Sequence, residues 1–267
     1  MRLFTRSLIL FVALAKSARG AALALIAVAL LATPTQAGQI VFFDDFESDT
    51  VGGNPAIDLS NGDVGLSWDN EKSPGVTVAT NPNTTGNAST QVLQLHNKGE
   101  MDGNLSTGIP FDGARLSTDF YITADAAVNK ITMKFRRADG TGPFNLNLKQ
   151  NGEVTGGLSV GTLGITHYGT DVWQNATWSF AYTGTSNLWD VDMSFTNLET
   201  SATTSETFNN LALAVTTSDV FIEVTPRGQD SGTMFVDNIQ VSSPVPEPTT
   251  ALLLTLGLAG LGIRRRL

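Results

Sequence analysis

Short segments in which apolar and polar residues alternate recur through the middle of the chain, and they constrain its fold more than any other feature. Lys130–Arg137 places Ile131, Met133 and Phe135 on one face and Lys, Thr and Arg side chains on the other. Pro143–Lys149 repeats the pattern. A period of two residues is that of a β-strand with one buried face and one wet face. The pattern therefore predicts antiparallel sheets.

About a dozen strand-like segments lie between Gly38 and Ser243, and none has the period of a long amphipathic helix. Two half-buried sheets cover their apolar faces by packing against each other. The chain is therefore predicted to be an all-β antiparallel sandwich of the jelly-roll kind. The first and last strands of such folds commonly pair, which would place Phe43–Glu47 beside Phe235–Val241.

Polar segments between the strands are predicted to be turns or loops. Asn151-Gly152 is the residue pair typical of a type I′ hairpin. Ser201–Thr207 is expected to be a loop before a strand at Phe208–Val215. Ser48–Asn70 is expected to be mainly loop with one short strand.

The first 37 residues have the anatomy of a secretory signal peptide. Four basic residues precede the apolar run Ala21–Ala32, and Thr35-Gln36-Ala37 ends on a small residue. That order predicts a signal helix, export across the inner membrane and cleavage by signal peptidase after Ala37. The alternative is an N-terminal anchor that is retained. The rest of the chain then divides into a domain at 38–243 and a C-terminal segment at 244–267.

The C-terminal segment holds three signals in a fixed order: Pro-Glu-Pro, an apolar run and three arginines. The apolar run Thr249–Ile263 has 15 residues, and counting from Val245 gives 19. At 1.5 Å per residue such a helix spans about 28 Å, which is barely enough for a transmembrane helix. The arginines are expected to stay cytoplasmic, so the domain lies on the far side of the membrane.

This order of signals resembles the PEP-CTERM sorting signal of Gram-negative bacteria in all three parts. The resemblance implies recognition by an exosortase, removal of the helix after transient membrane anchoring, and delivery to the cell surface or the extracellular (biofilm) matrix. The alternative is an ordinary single-pass tail anchor, which has no need of Pro-Glu-Pro. The residues that carry the resemblance are Pro246, Glu247, Pro248, Arg264, Arg265 and Arg266.

The charge of the exported part argues against one class of partner. Seven of the 16 basic residues and one of the 25 acidic residues lie in the two ends, which leaves 24 acids and 9 bases, a formal charge of −15, between Gly38 and Ser243. Nucleic acid is not expected as a partner, because phosphate binding needs a basic face. Divalent cations suit an acidic domain. The chain has no cysteine, which rules out thiol catalysis and thiolate zinc sites.

A second resemblance concerns the domain itself. The opening Asp44-Asp45-Phe46-Glu47, then Trp68 and the closing Phe235–Val241 look like secreted jelly rolls of the concanavalin A-like lectin/glucanase type. Tyr168 followed by Val172-Trp173 is similar to the same group. The galactose-binding-like sandwich of carbohydrate-binding modules shares the Phe-Glu opening and the Val-Asp-Asn-Ile ending. It is the alternative, and the concanavalin A-like fold is favoured.

The resemblance to these modules implies a structural calcium ion. In the modules, the positions of Glu47 and Asp237 ligate Ca²⁺, and Asp45 is a candidate for a third carboxylate. Calcium takes six to eight hard oxygen ligands, which carboxylates supply. The alternative is that Asp237-Asn238 only bends the last strand and that Glu47 is solvated.

Aromatic side chains beside polar groups are the candidates for holding a sugar. Trp68, Trp173 and Tyr168 are the predicted ligand-binding residues, and polar loop residues surround the two tryptophans. The alternative for each is a place in the core, where large aromatic side chains are common.

Catalysis is not expected. Glycoside hydrolysis needs two carboxylates that flank the bond. The nearest match to the motif of the glucanases, Trp189–Phe195, offers Asp190 and Asp192 but no glutamate, and His96 and His167 have no paired spacing. The sequence thus predicts a non-enzymatic surface or matrix protein that binds polysaccharide or matrix proteins. The alternatives are a secreted polysaccharide-cleaving enzyme on the same scaffold and a purely structural envelope protein.

Overall fold

The regular structure of the described chain consists of β-strands. The computed structural model describes residues 38–72, 75–96, 98–124, 130–141, 144–156, 162–166, 169–229 and 233–244. Within these ranges there is no helix, and so none that could cross a membrane. The predicted signal helix in the first 37 residues and the predicted transmembrane helix in Thr249–Ile263 lie outside the described residues.

The strands are numbered in chain order. They are β1 (Ile40–Asp44), β2 (Ser67–Lys72), β3 (Val76–Thr80), β4 (Gln91–Leu95), β5 (Glu100–Pro110), β6 (Arg115–Ile122), β7 (Lys130–Arg137), β8 (Phe144–Lys149), β9 (Glu153–Gly156), β10 (Thr162–Thr166), β11 (Gln174–Tyr182), β12 (Leu188–Asn197), β13 (Thr203–Ala212), β14 (Val220–Gln229) and β15 (Met234–Ser242).

These strands form two sheets in which every pair is antiparallel. The larger sheet has eight strands in the order β13-β12-β11-β6-β15-β4-β3, with β1 also paired to β15. The smaller sheet has seven strands in the order β10-β9-β8-β7-β14-β5-β2. The prediction of an all-β antiparallel sandwich is confirmed.

The first and last strands pair, as predicted. Asp44 lies opposite Ile239, and Phe43 lies opposite Gln240. The N-terminal part of β15 pairs with β4 instead, so β4 and β1 follow each other along the same edge of β15. The register of β15 shifts between Asp237 and Gln240, where Asn238 has a φ of 48°. The bend in β15 thus falls where its neighbour changes from β4 to β1.

The core lies between the two sheets and is rich in aromatic rings. Phe111 lies in the turn between β5 and β6 and is fully buried at the centre of the core. Its ring centroid lies 4.2 Å from that of Phe180 in the larger sheet and 5.1 Å from that of Phe221 in the smaller sheet. Alternation places the rings of Phe180 and Phe221 inward because neighbouring residues of a strand point to opposite faces.

Two local predictions need correction, and one strand was missed. Asn151-Gly152 does lie between paired strands, but only Gly152 has positive φ, and its N–H donates to the Lys149 carbonyl at 2.9 Å. A type I′ turn needs positive φ at both central residues, so the turn is of another kind. Thr203–Thr207 belongs to β13 and is not a loop. The long strand β5 was not predicted at all.

Candidate functional site

Three carboxylates meet where β1 ends. Asp44 is the last residue of β1, Asp45 follows it, and Asp63 belongs to the segment that leads to β2. One oxygen of each side chain lies within 4.8 Å of the others. An isolated bridge between Phe43 and Val64, with N–O distances of 2.7 and 2.9 Å, brings this segment beside β1. We call Asp44, Asp45 and Asp63 the carboxylate cluster.

Asp44 is the most enclosed member of the cluster. It has no exposed surface, and its carboxylate accepts hydrogen bonds from the Phe46 N–H at 2.7 Å and from the Trp68 Nε1–H. Asp45 is half-buried, and its Oδ1 accepts a hydrogen bond from the Glu47 N–H at 3.1 Å. The cluster therefore joins a rigid buried carboxylate to one that reaches the surface.

Two buried oxygens in this region have no hydrogen-bond partner among the described residues. Asp63 is only 4% exposed, and its Oδ2 accepts a hydrogen bond from the Asp58 N–H at 2.8 Å. The Asp45 N–H lies near enough to the Asp63 carboxylate to lower its pKa slightly, but no donor meets hydrogen-bond geometry at Oδ1. Asp49 likewise accepts a hydrogen bond from the Ala56 N–H at 3.0 Å through Oδ1, and its buried Oδ2 accepts none. None of the salt bridges between described residues reaches these carboxylates.

Burial dominates the electrostatics of the cluster. It raises the pKa of Asp44 to about 8, with the nearby charges of Asp63 and Asp49 adding to the effect and the hydrogen bonds from Trp68 and Phe46 opposing it. Burial also raises the pKa of Asp49 to about 6 and raises the pKa of Asp63. The common cause is that ionised carboxylates lose water without gaining a positive partner. The cluster is thus stabilised by a proton or by a cation.

Of the three predicted calcium ligands, only Asp45 belongs to the carboxylate cluster. The carboxylate of Glu47 instead accepts hydrogen bonds from the Thr90 N–H, from the Thr90 hydroxyl at 2.7 Å and from the Gln91 N–H at 3.1 Å. These contacts hold the segment before β4 against the segment after β1.

Asp237, the remaining predicted ligand, is fully buried in β15. Its carboxylate accepts hydrogen bonds from Asn87 Nδ2 and from the Asn238 N–H, both at 2.8 Å. Burial raises its pKa to about 7, partly offset by the hydrogen bond from Asn87, while the charge of Asp119 adds to the rise. A calcium ion held by Glu47 and Asp237 stays a prediction from the resemblance.

The two tryptophans predicted to bind a ligand lie in the interior, although polar residues surround them in the sequence. Trp173 has no exposed surface, and its Nε1–H donates to Asn81 Oδ1 at 3.1 Å and to the Asn83 carbonyl at 2.7 Å. Trp68 is 9% exposed and packs edge-on against Phe42 at 5.1 Å. Neither offers an open ring face to a sugar. Tyr168 lies outside the described residues.

An open groove of about 370 Å³ lies against the outer face of the larger sheet. One row of its lining residues crosses four adjacent strands: Arg115 pairs with Ser179, Ser179 with Asp192, and Asp192 with Thr207. Thr207 donates a hydrogen bond to Asp192 Oδ1 at 2.6 Å. We call this surface the outer groove.

A second row of hydroxyl groups runs beside the first in the outer groove. Thr177 pairs with Ser194, and Ser194 pairs with Ser205. The hydroxyls of Thr177 and Ser194 lie 2.6 Å apart. Strand neighbours of these residues, such as Trp178, belong to the core, so the hydroxyl rows point away from it. The groove therefore presents hydrogen-bonding groups and both signs of charge.

The two aspartates in the segment that best matches the glucanase motif, Asp190 and Asp192, both accept hydrogen bonds from residues of β13. Asp190 Oδ1 accepts a hydrogen bond from the Asn210 N–H at 2.9 Å, and Asp192 is the partner of Thr207. Asp192 lines the outer groove and Asp190 does not. The lining residues of the groove include two carboxylates, Asp192 of β12 and Glu206 of the adjacent strand β13.

Sequence reasoning missed Asp44 and Asp63 as neighbours of Asp45. Consecutive acids at the end of a predicted strand gave a signal for Asp44, but nothing in the sequence pairs the strand end with a residue from the following loop. The outer groove was also missed, although its rows occupy polar positions that alternate with apolar ones in β11 and β12.

Several solved structures have a general likeness to this chain. A sialidase has 10% identity and a TM-score of 0.48 over 77% of this chain and 19% of its own. Lectin II from Ulex europaeus has 10% identity and a TM-score of 0.47, with 78% of this chain and 100% of its own covered. The globular domain of calreticulin from T. cruzi has 10% identity and a TM-score of 0.47, with 84% and 95% covered. Likenesses this distant indicate no ligand or activity for this chain.

The match covers only 19% of the sialidase's own length, so this chain spans less than a fifth of that protein. No curated protein matches the chain in sequence. The family comparison does give a match, to the PEP-CTERM protein-sorting motif, over residues 244–266. These residues include the Pro-Glu-Pro unit, the apolar run and the three arginines. The chain therefore carries a PEP-CTERM protein-sorting motif at its C-terminal end.

Proposed function

We propose that the protein is exported, anchored transiently in the membrane, and released by an exosortase to the cell surface or extracellular matrix. The observation that carries this proposal is the PEP-CTERM motif at residues 244–266. Two further features support it: a signal-peptide pattern that ends at Ala37, and an acidic all-β domain without cysteine. Signal peptidase and the exosortase are the partners during export.

Replacing Glu247 by Ala tests the sorting step in cells. The flanking prolines keep the chain extended, so the glutamate is the one charged group presented ahead of the apolar run. We expect the Glu247→Ala protein to accumulate uncut in the membrane fraction. Asp139→Ala, in the turn between β7 and β8, is the control and should be released normally. Normal release of the Glu247→Ala protein would show that release does not depend on the Pro-Glu-Pro unit, and it would contradict the proposal.

We further propose that the β-sandwich binds polysaccharide in the outer groove and does so without catalysis. Ligand sites are concave and carry a few polar groups that fix orientation, and the groove volume of about 370 Å³ is in their range. Hydroxyls from three strands, Arg115 and Asp192 supply both donors and acceptors for sugar hydroxyls. Matrix proteins are the alternative partners. The resemblance also predicts a structural calcium ion held by Glu47, Asp237 and Asp45.

A glycan array with the full-length protein in detergent tests the binding proposal. Asp192→Asn removes the charge of one of the two groove carboxylates with little change of shape, and we expect at least tenfold weaker binding to any glycan that the wild type retains. Asp139→Asn carries the same change outside the groove and should bind normally. Equal binding by Asp192→Asn and wild type would contradict the groove as the site. Release of reducing sugar by the wild type would favour the polysaccharide-cleaving alternative.

A further inference from the structure

The carboxylate cluster concentrates negative charge in a place with little water. Asp44 has no exposed surface and Asp63 is 4% exposed. Asp49 lies close enough for its charge to act on Asp44 and Asp63. The salt bridges of the described residues all involve other acids. Buried ions without an opposite charge are costly, so the arrangement is incomplete as it stands.

A second observation indicates which partner the carboxylate cluster lacks. Asp63 Oδ1 is buried and accepts no hydrogen bond, although the other oxygen of the same carboxylate is fixed by the Asp58 N–H at 2.8 Å. Buried polar atoms normally have a hydrogen-bond partner. A buried atom without one indicates a partner from outside the protein chain, such as water or an ion. Asp49 Oδ2 repeats the exception in the same region. Two buried carboxylate oxygens thus have no partner, one within the carboxylate cluster and one near it, and a cation is the partner that could serve both.

We propose that Asp44, Asp45 and Asp63 bind a divalent cation of the calcium type. Oxygen ligands of one Ca²⁺ ion lie about 2.3–2.6 Å from it, so two of them can be at most about 5 Å apart. The three carboxylate oxygens lie within 4.8 Å of one another, which fits that limit. Asp45 is half-buried, so water can complete the six to eight ligands that calcium takes.

The geometry favours calcium over magnesium. Mg²⁺ demands nearly ideal octahedral geometry at about 2.0–2.1 Å and dehydrates reluctantly. The carboxylates of Asp44 and Asp63 are held by hydrogen bonds from the protein, so they cannot adjust freely to such a geometry. Calcium accepts irregular sets of ligands and fits this cluster better.

The ion would fasten the loop after β1 to the strand itself. Asp44 and Asp45 lie at the end of β1, and Asp63 precedes Val64, whose bridge to Phe43 is the backbone contact between the two segments. This site shares Asp45 with the calcium position that the resemblance implies, but it does not include Glu47 and Asp237, whose carboxylates are engaged by other donors. It also involves no residue of the outer groove, so it can be tested without a glycan.

The first test is calcium titration of the full-length protein in detergent, after treatment with chelator. We expect the Tm to rise by about 5 °C at Ca²⁺ a hundredfold above Kd, given the usual relation between ligand binding, stability and Tm. Asp63→Asn should bind Ca²⁺ at least tenfold more weakly. Its Tm in chelator should equal or exceed that of the wild type, since repulsion is relieved, so a folding defect does not confound the result. Asp139→Asn is the control with the same charge change and should respond as the wild type does.

Limited proteolysis supplies a second readout that reports on the loop. Calcium should protect residues 48–62 from cleavage in the wild type and in Asp139→Asn, and should not protect them in Asp63→Asn. An unchanged wild-type Tm with Ca²⁺ would overturn the proposal. So would full calcium affinity in Asp63→Asn, which would place the ion elsewhere. Equal affinity for Mg²⁺ at the same concentrations would overturn the preference for calcium.

Discussion

Asp237 shows how a single buried side chain can carry both structure and a pH response. It has no exposed surface, and it ties β15 to Asn87 in the segment before β4. Asn238 Nδ2 donates to Asp119 Oδ2 at 2.9 Å and to Asp237 Oδ2 at 3.2 Å, so the amide bridges the two carboxylates. Burial raises the pKa of both acids. In the folded protein these groups therefore hold their protons to higher pH than in the unfolded chain.

From this we predict that the folded protein loses stability as pH rises towards neutrality. Asp237 has a pKa of about 7 when folded against a reference of 3.8, so the folded state binds more protons between these values. The contribution of Asp237 to the free energy of unfolding is then greatest below about pH 4, and it disappears above about pH 7. Thermal unfolding in chelator should show a Tm several degrees lower at pH 7.5 than at pH 5.

Asp237→Asn is the matching variant, since an amide does not titrate and keeps one acceptor for Asn87. Its fall in Tm between pH 5 and pH 7.5 should be clearly smaller than that of the wild type. Asp44, whose pKa rises to about 8, has the same sign and leaves some residual slope. A slope as steep in Asp237→Asn as in the wild type would assign the effect to other groups.

Sequence reasoning succeeded at residues whose role follows from their own segment. The inward places of Ile131, Met133 and Phe135 follow from alternation, and all three are buried. It failed for Trp68 and Trp173, because polar neighbours in sequence say little about what covers a ring. Their covering comes from elsewhere in the chain: Phe42 packs on Trp68, and Asn81 accepts a hydrogen bond from Trp173.

At the scale of elements, the same contrast separates strands that were predicted from those that were not. β7 has the predicted bounds Lys130–Arg137 because one of its faces is apolar throughout. β5 contains Gly103, Asn104, Ser106 and Gly108, so its sequence lacks that alternation. β13 is an exposed edge strand rich in Ser and Thr, and its pairing with β12 defines it more than burial does.

Gly103 in β5 is predicted to be required by close packing across the core. A Cβ at this position would lie 2.5 Å from Phe42 Cζ and 3.1 Å from Trp68 Cζ3, and both rings are buried. Forcing extra atoms into a packed core costs roughly 1–3 kcal/mol. Chemical denaturation of Gly103→Ala should therefore show a free energy of unfolding lower by about that amount.

Gly169→Ala is the control for this prediction. A Cβ there would meet only Val172 Cγ2 at 3.8 Å, which is ordinary contact. Its stability should stay within about 0.5 kcal/mol of the wild type. A Gly103→Ala protein as stable as this control would show that the rings of Phe42 and Trp68 can move aside.

For the whole molecule, the two-sheet architecture was predictable and the placement of its sites was not. Alternating segments and the absence of a helical period indicate a sandwich, and pairing of the first and last strands followed from the expected topology. The carboxylate cluster and the outer groove instead depend on which distant segments meet. The groove needs β6, β11, β12 and β13 side by side, an order that no single segment encodes.

The destination of the molecule is encoded separately from its fold. The PEP-CTERM motif occupies residues 244–266, directly after β15, which ends at Ser242. A domain that is complete before this motif begins can keep its strands when the tail is removed. Export and sorting are therefore expected to leave the sandwich, the carboxylate cluster and the outer groove together in one released piece.

The mass of the mature protein isolated from cells tests the account of export and sorting most directly. We expect a chain that begins at Gly38 and lacks the apolar run and arginines that follow Pro246-Glu247-Pro248, recovered from the cell surface or matrix. Mass spectrometry of the intact protein reports both ends at once. A mature chain that still carries Thr249–Ile263 and the three arginines would contradict the account.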